Sequence, residues 1–150
     1  MKFSTRARYG LRAMLELALN YGKGPVSVKT ISENQEISEA YLEQLLALLG
    51  KAVLVKSVRG AQGGYLLAQE PAGIRVGDII RALEGPIAPV DCVKRKDPLI
   101  CTRAEKCVSR IVWERIRDAV DEVLDSLTLE DLRTELEKME VKQQSYMYYI

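Results

Sequence analysis

The chain has 150 residues, 47% of them hydrophobic, with 22 Lys/Arg against 21 Asp/Glu, three cysteines and no histidine. That length suits one domain or a small domain with an appendage, and the lack of histidine removes most hydrolase triads, His-ligated zinc sites and imidazole acid–base chemistry. No apolar run reaches a membrane-spanning length and no secretory leader opens the chain, so a cytoplasmic protein is expected.

Charge is unevenly spread. Residues 1–85 carry 11 Lys/Arg against 8 Asp/Glu, and residues 86–150 carry 11 against 13. Lys2, Arg6, Arg8 and Arg12 open the chain without an acid among them, a local basic footprint of the kind nucleic acid attracts. Ser4 or Thr5 caps a first helix, whose Tyr9, Leu11, Met14, Leu15, Leu17 and Ala18 fill most of its faces. Gly22, Gly24 and Pro25 stop it. Ser27 caps a short second helix, Val28 to Asn34, and Gln35, Glu36 and Ile37 turn the chain into a third.

That third helix is the most telling stretch. Ser38 caps it and Glu39 favours its first turn. Leu42, Leu45, Leu46 and Leu49 share a buried face, while Glu39, Ala40, Glu43, Gln44 and Ala47 point outward. Two helices across so short a turn suit a helix-turn-helix. The period then changes: Val53, Val55 and Ser57 alternate with Leu54, Lys56 and Val58, predicting a strand over 53–58. Gly60, Gly63 and Gly64 break it before a second strand at Tyr65, Leu66 and Leu67. The expected fold class is mainly α with a small β wing: a winged helix-turn-helix plus a long dimerisation helix. In that shape the helix enters the major groove and the hairpin reaches backbone or minor groove. Glu43 and Gln44 can read base edges with Tyr41 beside them, and Arg59, Gly60 and Gln62 form the wing tip. Arg8, Ser38 and Glu39 complete the candidate DNA-binding set. A helix and hairpin also occur in small α+β domains that never touch DNA.

Glu70 to Gly73 reads as a loop, and Val76 to Leu83 as a helix with Val76, Ile79, Ile80 and Leu83 inward. Gly85, Pro86 and Pro89 mark a boundary. The expected organisation is a DNA-binding domain at 1–85, a cysteine-containing loop at 86–107, and a dimerisation helix with C-terminal helix and tail at 108–150. A helix from Val108 to Leu127 carries an apolar stripe too rich to stand alone, so it is expected to pack on a second copy. Thr128 and Asp131 signal a capping box for a last helix, Leu129 to Met139, expected to be mostly acidic and exposed. The chain closes on Tyr146-Met147-Tyr148-Tyr149-Ile150.

Cys92, Cys101 and Cys107 all lie in one charged stretch with Lys94, Arg95, Lys96, Arg103 and Lys106. Their spacing is wide for structural zinc but open enough for an iron–sulfur cluster, which thiolates bind well. Neighbouring cations lower thiol pKa. Three free thiols and a thiol redox switch are the alternatives. A fourth ligand could be Asp91, Asp97, Glu105 or Ser109, or could come from elsewhere. A cysteine nucleophile for enzymatic work lacks a histidine base.

The Phe3–Gly10 run FSTRARYG, the Ser38–Gln44 run SEAYLEQ, the Val58–Tyr65 run VRGAQGGY and the 77–87 run GDIIRALEGPI resemble IscR- and CymR-type bacterial transcription regulators. The resemblance covers nearly the whole chain. It implies a winged-helix homodimer that reads palindromic promoter sites. In the iron–sulfur branch, three loop cysteines matching Cys92, Cys101 and Cys107 hold a 2Fe-2S cluster, with a histidine three residues after the last. Here that position is Arg110, which has no lone pair for a metal. The cysteine-metabolism branch resembles this chain at 114–132 and in its aromatic, isoleucine-ended terminus, and lacks the cysteine loop. That branch also implies cysteine synthase as a partner, docking through Ile150. The resemblance leads to a sensor of iron–sulfur status that controls cluster assembly genes, with a repressor of sulfur metabolism or a cluster-free thiol switch as alternatives.

Overall fold

The computed structural model describes residues 1–96 and 98–148, so Asp97, Tyr149 and Ile150 lie outside the described residues. The elements run α1 (Thr5–Leu19), α2 (Val28–Gln35), α3 (Glu39–Lys51), β1 (Val55–Val58), β2 (Gly64–Leu67), α4 (Val76–Glu84), α5 (Arg110–Ser126) and α6 (Leu129–Tyr148). Short 3-10 turns fall at Pro71–Gly73, Asp91–Val93 and Ala104–Lys106.

Each of the first three helices starts on a serine. Ser4 accepts from the Ala7 N–H at 3.3 Å, Ser27 from Thr30 at 3.1 Å and Ser38 from Tyr41 at 3.3 Å. These bonds satisfy N–H groups that a helix start leaves without partners. Between α2 and α3, Glu36 adopts a left-handed conformation with φ 55°. Ser32 pins this turn: its hydroxyl donates to the Ile37 carbonyl at 2.6 Å, and the Ile37 N–H returns to the Ser32 carbonyl at 3.2 Å.

The predicted apolar stripes meet in one cluster. Met14, Leu17, Ile31, Leu42, Leu45, Leu46, Leu49, Ile79 and Leu83 are all buried there. Each large side chain so buried contributes roughly 1.5–3 kcal/mol. Leu129 belongs to the same cluster and is fully buried. Main-chain bonds stitch the α5–α6 corner to the segment before α4: Val76 N–H to Leu127 at 2.8 Å, and Leu129 N–H to Ile74 at 3.0 Å. A second cluster joins Ala7, Val76, Ile80 and Ile87, with Val120 and Leu124 of α5 packed on it.

Three expectations need correction. The strand begins at Val55, not Val53, and the alternation ends there: Leu54 and Val55 are both buried, while Lys56, Ser57 and Val58 are exposed. Val53 instead terminates α3 with φ 59°, its N–H on Gly50 and the Leu54 N–H on Leu49, both at 3.0 Å. That is a Schellman cap with a β-branched residue where glycine is usual. The last helix runs nine residues beyond Met139 to Tyr148, and its first turn is a core element, not a solvent face. It does begin as the Thr128–Asp131 pair predicts. The Thr128 N–H donates to Asp131 at 2.9 Å and the Asp131 N–H to the Thr128 hydroxyl at 3.2 Å. Finally, the α5 stripe is covered only in part by its own chain. Val120 and Leu124 pack on the chain's own second cluster, whereas Ile111, Val112 and Val123 are more than half exposed.

Candidate nucleic-acid interface and cysteine segment

Because α3 buries Leu42, Leu45, Leu46 and Leu49, its opposite face is fixed outward. Ser38, Glu39, Ala40, Glu43, Gln44 and Ala47 are exposed along it. The Ser38 hydroxyl is engaged as the helix cap. Tyr41 is half-buried and meets Tyr9 of α1 edge-on, ring centroids 6.1 Å apart. Arg8 is exposed, donates to the Thr5 hydroxyl at 3.4 Å and stands 6.0 Å from the Tyr9 ring.

The wing is a β1–β2 antiparallel pair in the register Val55↔Leu67 to Val58↔Gly64. Arg59, Gly60 and Gln62 are exposed at its tip. Its base is docked on the segment before α2. Val26 and Tyr65 exchange both main-chain bonds, at 3.0 and 2.8 Å. Gly64 permits this approach, because a Cβ there would lie 2.2 Å from the Val26 carbonyl oxygen. The predicted DNA-contacting residues therefore fall on two exposed elements, α3 and the wing, mounted on one core, with Arg8 on α1 beside them. Sequence reasoning missed Glu16, which is buried. The local pattern of α1 carries no signal of it, since Arg12 on the same face is exposed.

The cysteine segment is built differently. Cys92 is half-buried in the Asp91–Val93 turn, beside the buried Val93. Cys101 is exposed, and Cys107 follows the Ala104–Lys106 turn. Among the described residues, no three of Cys, Asp and Glu converge on a common point. Of the candidate fourth ligands, Asp91 is paired with Lys94 at 2.8 Å. Ser109 lies 3.2 Å from the Cys107 sulfur, and Glu105 is exposed. Asp97 lies outside the described residues. Arg110 is engaged by Glu114 at 3.1 Å. The thiol donors suit a thiophilic metal, but as arranged they do not fit a cluster. The Ser109 hydroxyl, then the Arg110 N–H, favour the thiolate of Cys107 and hold it below the usual thiol range, with Arg103 adding to the effect.

Arginines strap this segment to α5 and α5 to the head. Arg81 of α4 makes a two-pronged bond to Asp125, at 2.8 and 3.0 Å, and donates to Asp121 at 3.0 Å. Arg95, from the cysteine segment, donates to the other Asp121 oxygen at 2.9 Å and to Asp118 at 2.7 Å. Arg117 holds the Val93 carbonyl at 2.9 Å. Gly77 lets α4 and α5 come this close, since a Cβ there would sit 2.1 Å from an Asp125 oxygen. Burial pushes the Asp121 carboxyl up, but its bonds to Arg95 and Arg81 outweigh that and leave it below the usual carboxylate range. A cavity of about 260 Å³ opens beside this network, lined by Arg81, Pro86, Ile87, Arg95, Lys96 and Asp121.

No helix among the described residues is long and apolar enough to cross a membrane. The chain is 51% identical over 150 residues to the HTH-type transcriptional regulator CymR of Bacillus subtilis (strain 168), covering all of both chains. It superimposes on the solved structure of that protein, "the Global Cysteine Regulator of B. subtilis", with a TM-score of 0.75 over 90% of this chain and 98% of the other. The solved structure of T. potens IscR matches equally, with a TM-score of 0.75, 50% identity, and 99% and 97% coverage. The HTH-type transcriptional regulator IscR of Sodalis glossinidius (strain morsitans) is 38% identical over 94% of this chain and 84% of its own. A model of the Rrf2 family, described as "Iron-dependent Transcriptional regulator", matches residues 3–135. Winged head, outward face of α3 and relatives agree: the chain belongs to the Rrf2 family, and is a DNA-binding transcriptional regulator, not an enzyme.

Proposed function

We propose that the protein acts in the cytoplasm as a homodimer that reads a palindromic promoter site and regulates sulfur metabolism. The observation that carries the DNA reading is the face of α3: Glu43 and Gln44 stand outward because the leucines behind them are fully buried. These two side chains meet base edges, with Tyr41 beside them and Ser38 and Glu39 at the helix start. Arg59, Gly60 and Gln62 reach the flanking backbone or minor groove, and Arg8 meets phosphate. The exposed Ile111, Val112 and Val123 face a second copy. Identity over the full length of both chains to CymR, whose solved structure is that of a "Global Cysteine Regulator", supports the sulfur assignment. Selection of duplexes from a random library by the purified protein tests the reading. Gln44→Ala weakens binding to the selected duplex by about 1–3 kcal/mol and relaxes preference at one position per half-site. Failure to enrich any sequence overturns it.

A second reading, sensing of iron–sulfur status through a 2Fe-2S cluster on Cys92, Cys101 and Cys107 with control of cluster assembly genes, is favoured by the likeness to T. potens IscR. It requires the cysteine segment to draw together. Anaerobic reconstitution distinguishes the two: a red-brown protein whose colour each single Cys→Ala change abolishes supports the cluster. A colourless protein leaves Cys107, already biased toward thiolate, as the centre of a redox switch. Recruitment by cysteine synthase through Ile150 rests on the resemblance of the terminus alone, and Ile150 lies outside the described residues. Deleting Ile150 should abolish capture by a cysteine synthase while leaving DNA affinity intact.

A further inference from the structure

Glu16 is the buried charged side chain of the described residues, 6% exposed in the last turn of α1. No cation pairs with it among those residues. Its two oxygens accept from neutral amides at the end of α2: Asn34 Nδ2 at 2.6 Å and Gln35 Nε2 at 2.9 Å. Burying a carboxylate is unfavourable unless its oxygens are satisfied, and an apolar side chain would fill the same space without that demand. The carboxylate does something an apolar residue does not. It accepts only, so both amides must turn their NH2 groups toward it.

That orientation fixes the next contact. With its NH2 committed to Glu16, Gln35 presents Oε1 to Arg12, whose Nε donates to it at 3.2 Å. Arg12 Nη2 also donates to the Gln35 main-chain carbonyl. The guanidinium so held stands 5.2 Å from the Tyr9 ring centroid, and Tyr9 meets Tyr41 of α3 edge-on. Tyr9, Arg12 and Glu16, spaced at three and four residues, form one face of α1. This face grips the last turn of α2 and the first turn of α3, on either side of the left-handed Glu36.

We propose that this face sets the angle at which α3 is presented to DNA, with Glu16 and Arg12 as positioning residues that determine sequence specificity without reading a base. The inference rests on the DNA reading above. The probe is a duplex selected from a random library by the wild-type protein, compared with a scrambled duplex of the same length. Glu16→Gln keeps the shape but offers one acceptor oxygen in place of two, so Asn34 and Gln35 are no longer both anchored and the orientation of Gln35 toward Arg12 is no longer enforced. Affinity for the selected duplex falls about tenfold, the size of one impaired base-edge contact. Affinity for the scrambled duplex, and the slope of log affinity against log salt, stay unchanged because no phosphate contact is lost. Arg12→Lys keeps the cation but loses the planar two-point grip and gives the same split; Arg12 is exposed, so this variant folds. Ile80→Val, in the second cluster, lowers stability without moving the ratio. An unchanged ratio in both Glu16→Gln and Arg12→Lys overturns the proposal. So does an Arg12→Lys that binds like wild type while Arg12→Ala weakens both duplexes alike and flattens the salt slope, which would make Arg12 a phosphate contact. A wild type that enriches no sequence fails the DNA reading itself.

Discussion

Residues 42–49 bury four leucines to 1% exposure or less, whereas Val93 is the single fully buried side chain described between residues 90 and 107. Leu99 and Ile100 of that segment stand 64% and 94% exposed. The head is held by apolar packing, which salt does not screen. The cysteine segment is held by arginines, and exposed ion pairs contribute little to stability. The first region is built to keep one geometry and the second to give it up cheaply.

The sharpest way to break the comparison is in stability. Leu46→Ala should cost about 2–5 kcal/mol in urea denaturation, while Leu99→Ala should stay within about 0.5 kcal/mol of wild type. Similar losses would erase the distinction. Next in size is assembly. Val123→Asp should give monomers by light scattering and lower operator affinity about 100-fold through lost bivalency. Val120→Asp should unfold the head as well, because Val120 packs on its own chain.

A smaller effect sits at the junction of the two regions. Asp121→Asn should reduce stability at pH 7 by about 1–3 kcal/mol, the range for hydrogen bonds to charged groups. The sign of its pH dependence follows from the depressed carboxyl. As pH falls, the unfolded chain binds the proton first, so the Asp121 contribution is complete above the ordinary carboxylate value of about 4 and is lost as pH drops through the lower folded value. Urea midpoints in acid should therefore converge for wild type and Asp121→Asn. The smallest effect is chemical. Alkylation of Cys107 should begin below the usual thiol range, and Ser109→Ala should move its onset upward by removing the hydroxyl that favours the thiolate. An onset unmoved in Ser109→Ala would assign the shift to the main chain instead.

The head was legible in the sequence because its information is periodic. Serine caps and leucine spacing located α1, α2, α3 and α4 to within a residue or two. The strand start was misplaced because Val53 serves as a helix terminator, and a β-branched residue in a left-handed cap leaves no mark in hydropathy. Glu16 escaped notice because an acid in an apolar helix reads as a solvent-facing position until its amide partners, 18 and 19 residues away, are seen. The cysteine segment kept its residues but not its arrangement. Its shape depends on bonds from Arg95 to residues 23 and 26 positions on, and such pairings have no period to detect. The Thr128–Asp131 pair announced where α6 begins but not that its first leucine enters the core of the head.

That leucine has a consequence for how the protein is made. Synthesis delivers the three reading-head helices first and Leu129 near the end, yet Leu129 closes the cluster in which those helices pack, and the Leu129 N–H donates to Ile74. Domains generally fold as units while the chain is made, but this head lacks a wall until α5 has already been translated. The winged head is thus finished only on a chain that already carries α5 with its exposed Ile111, Val112 and Val123, so head and helix leave the ribosome together.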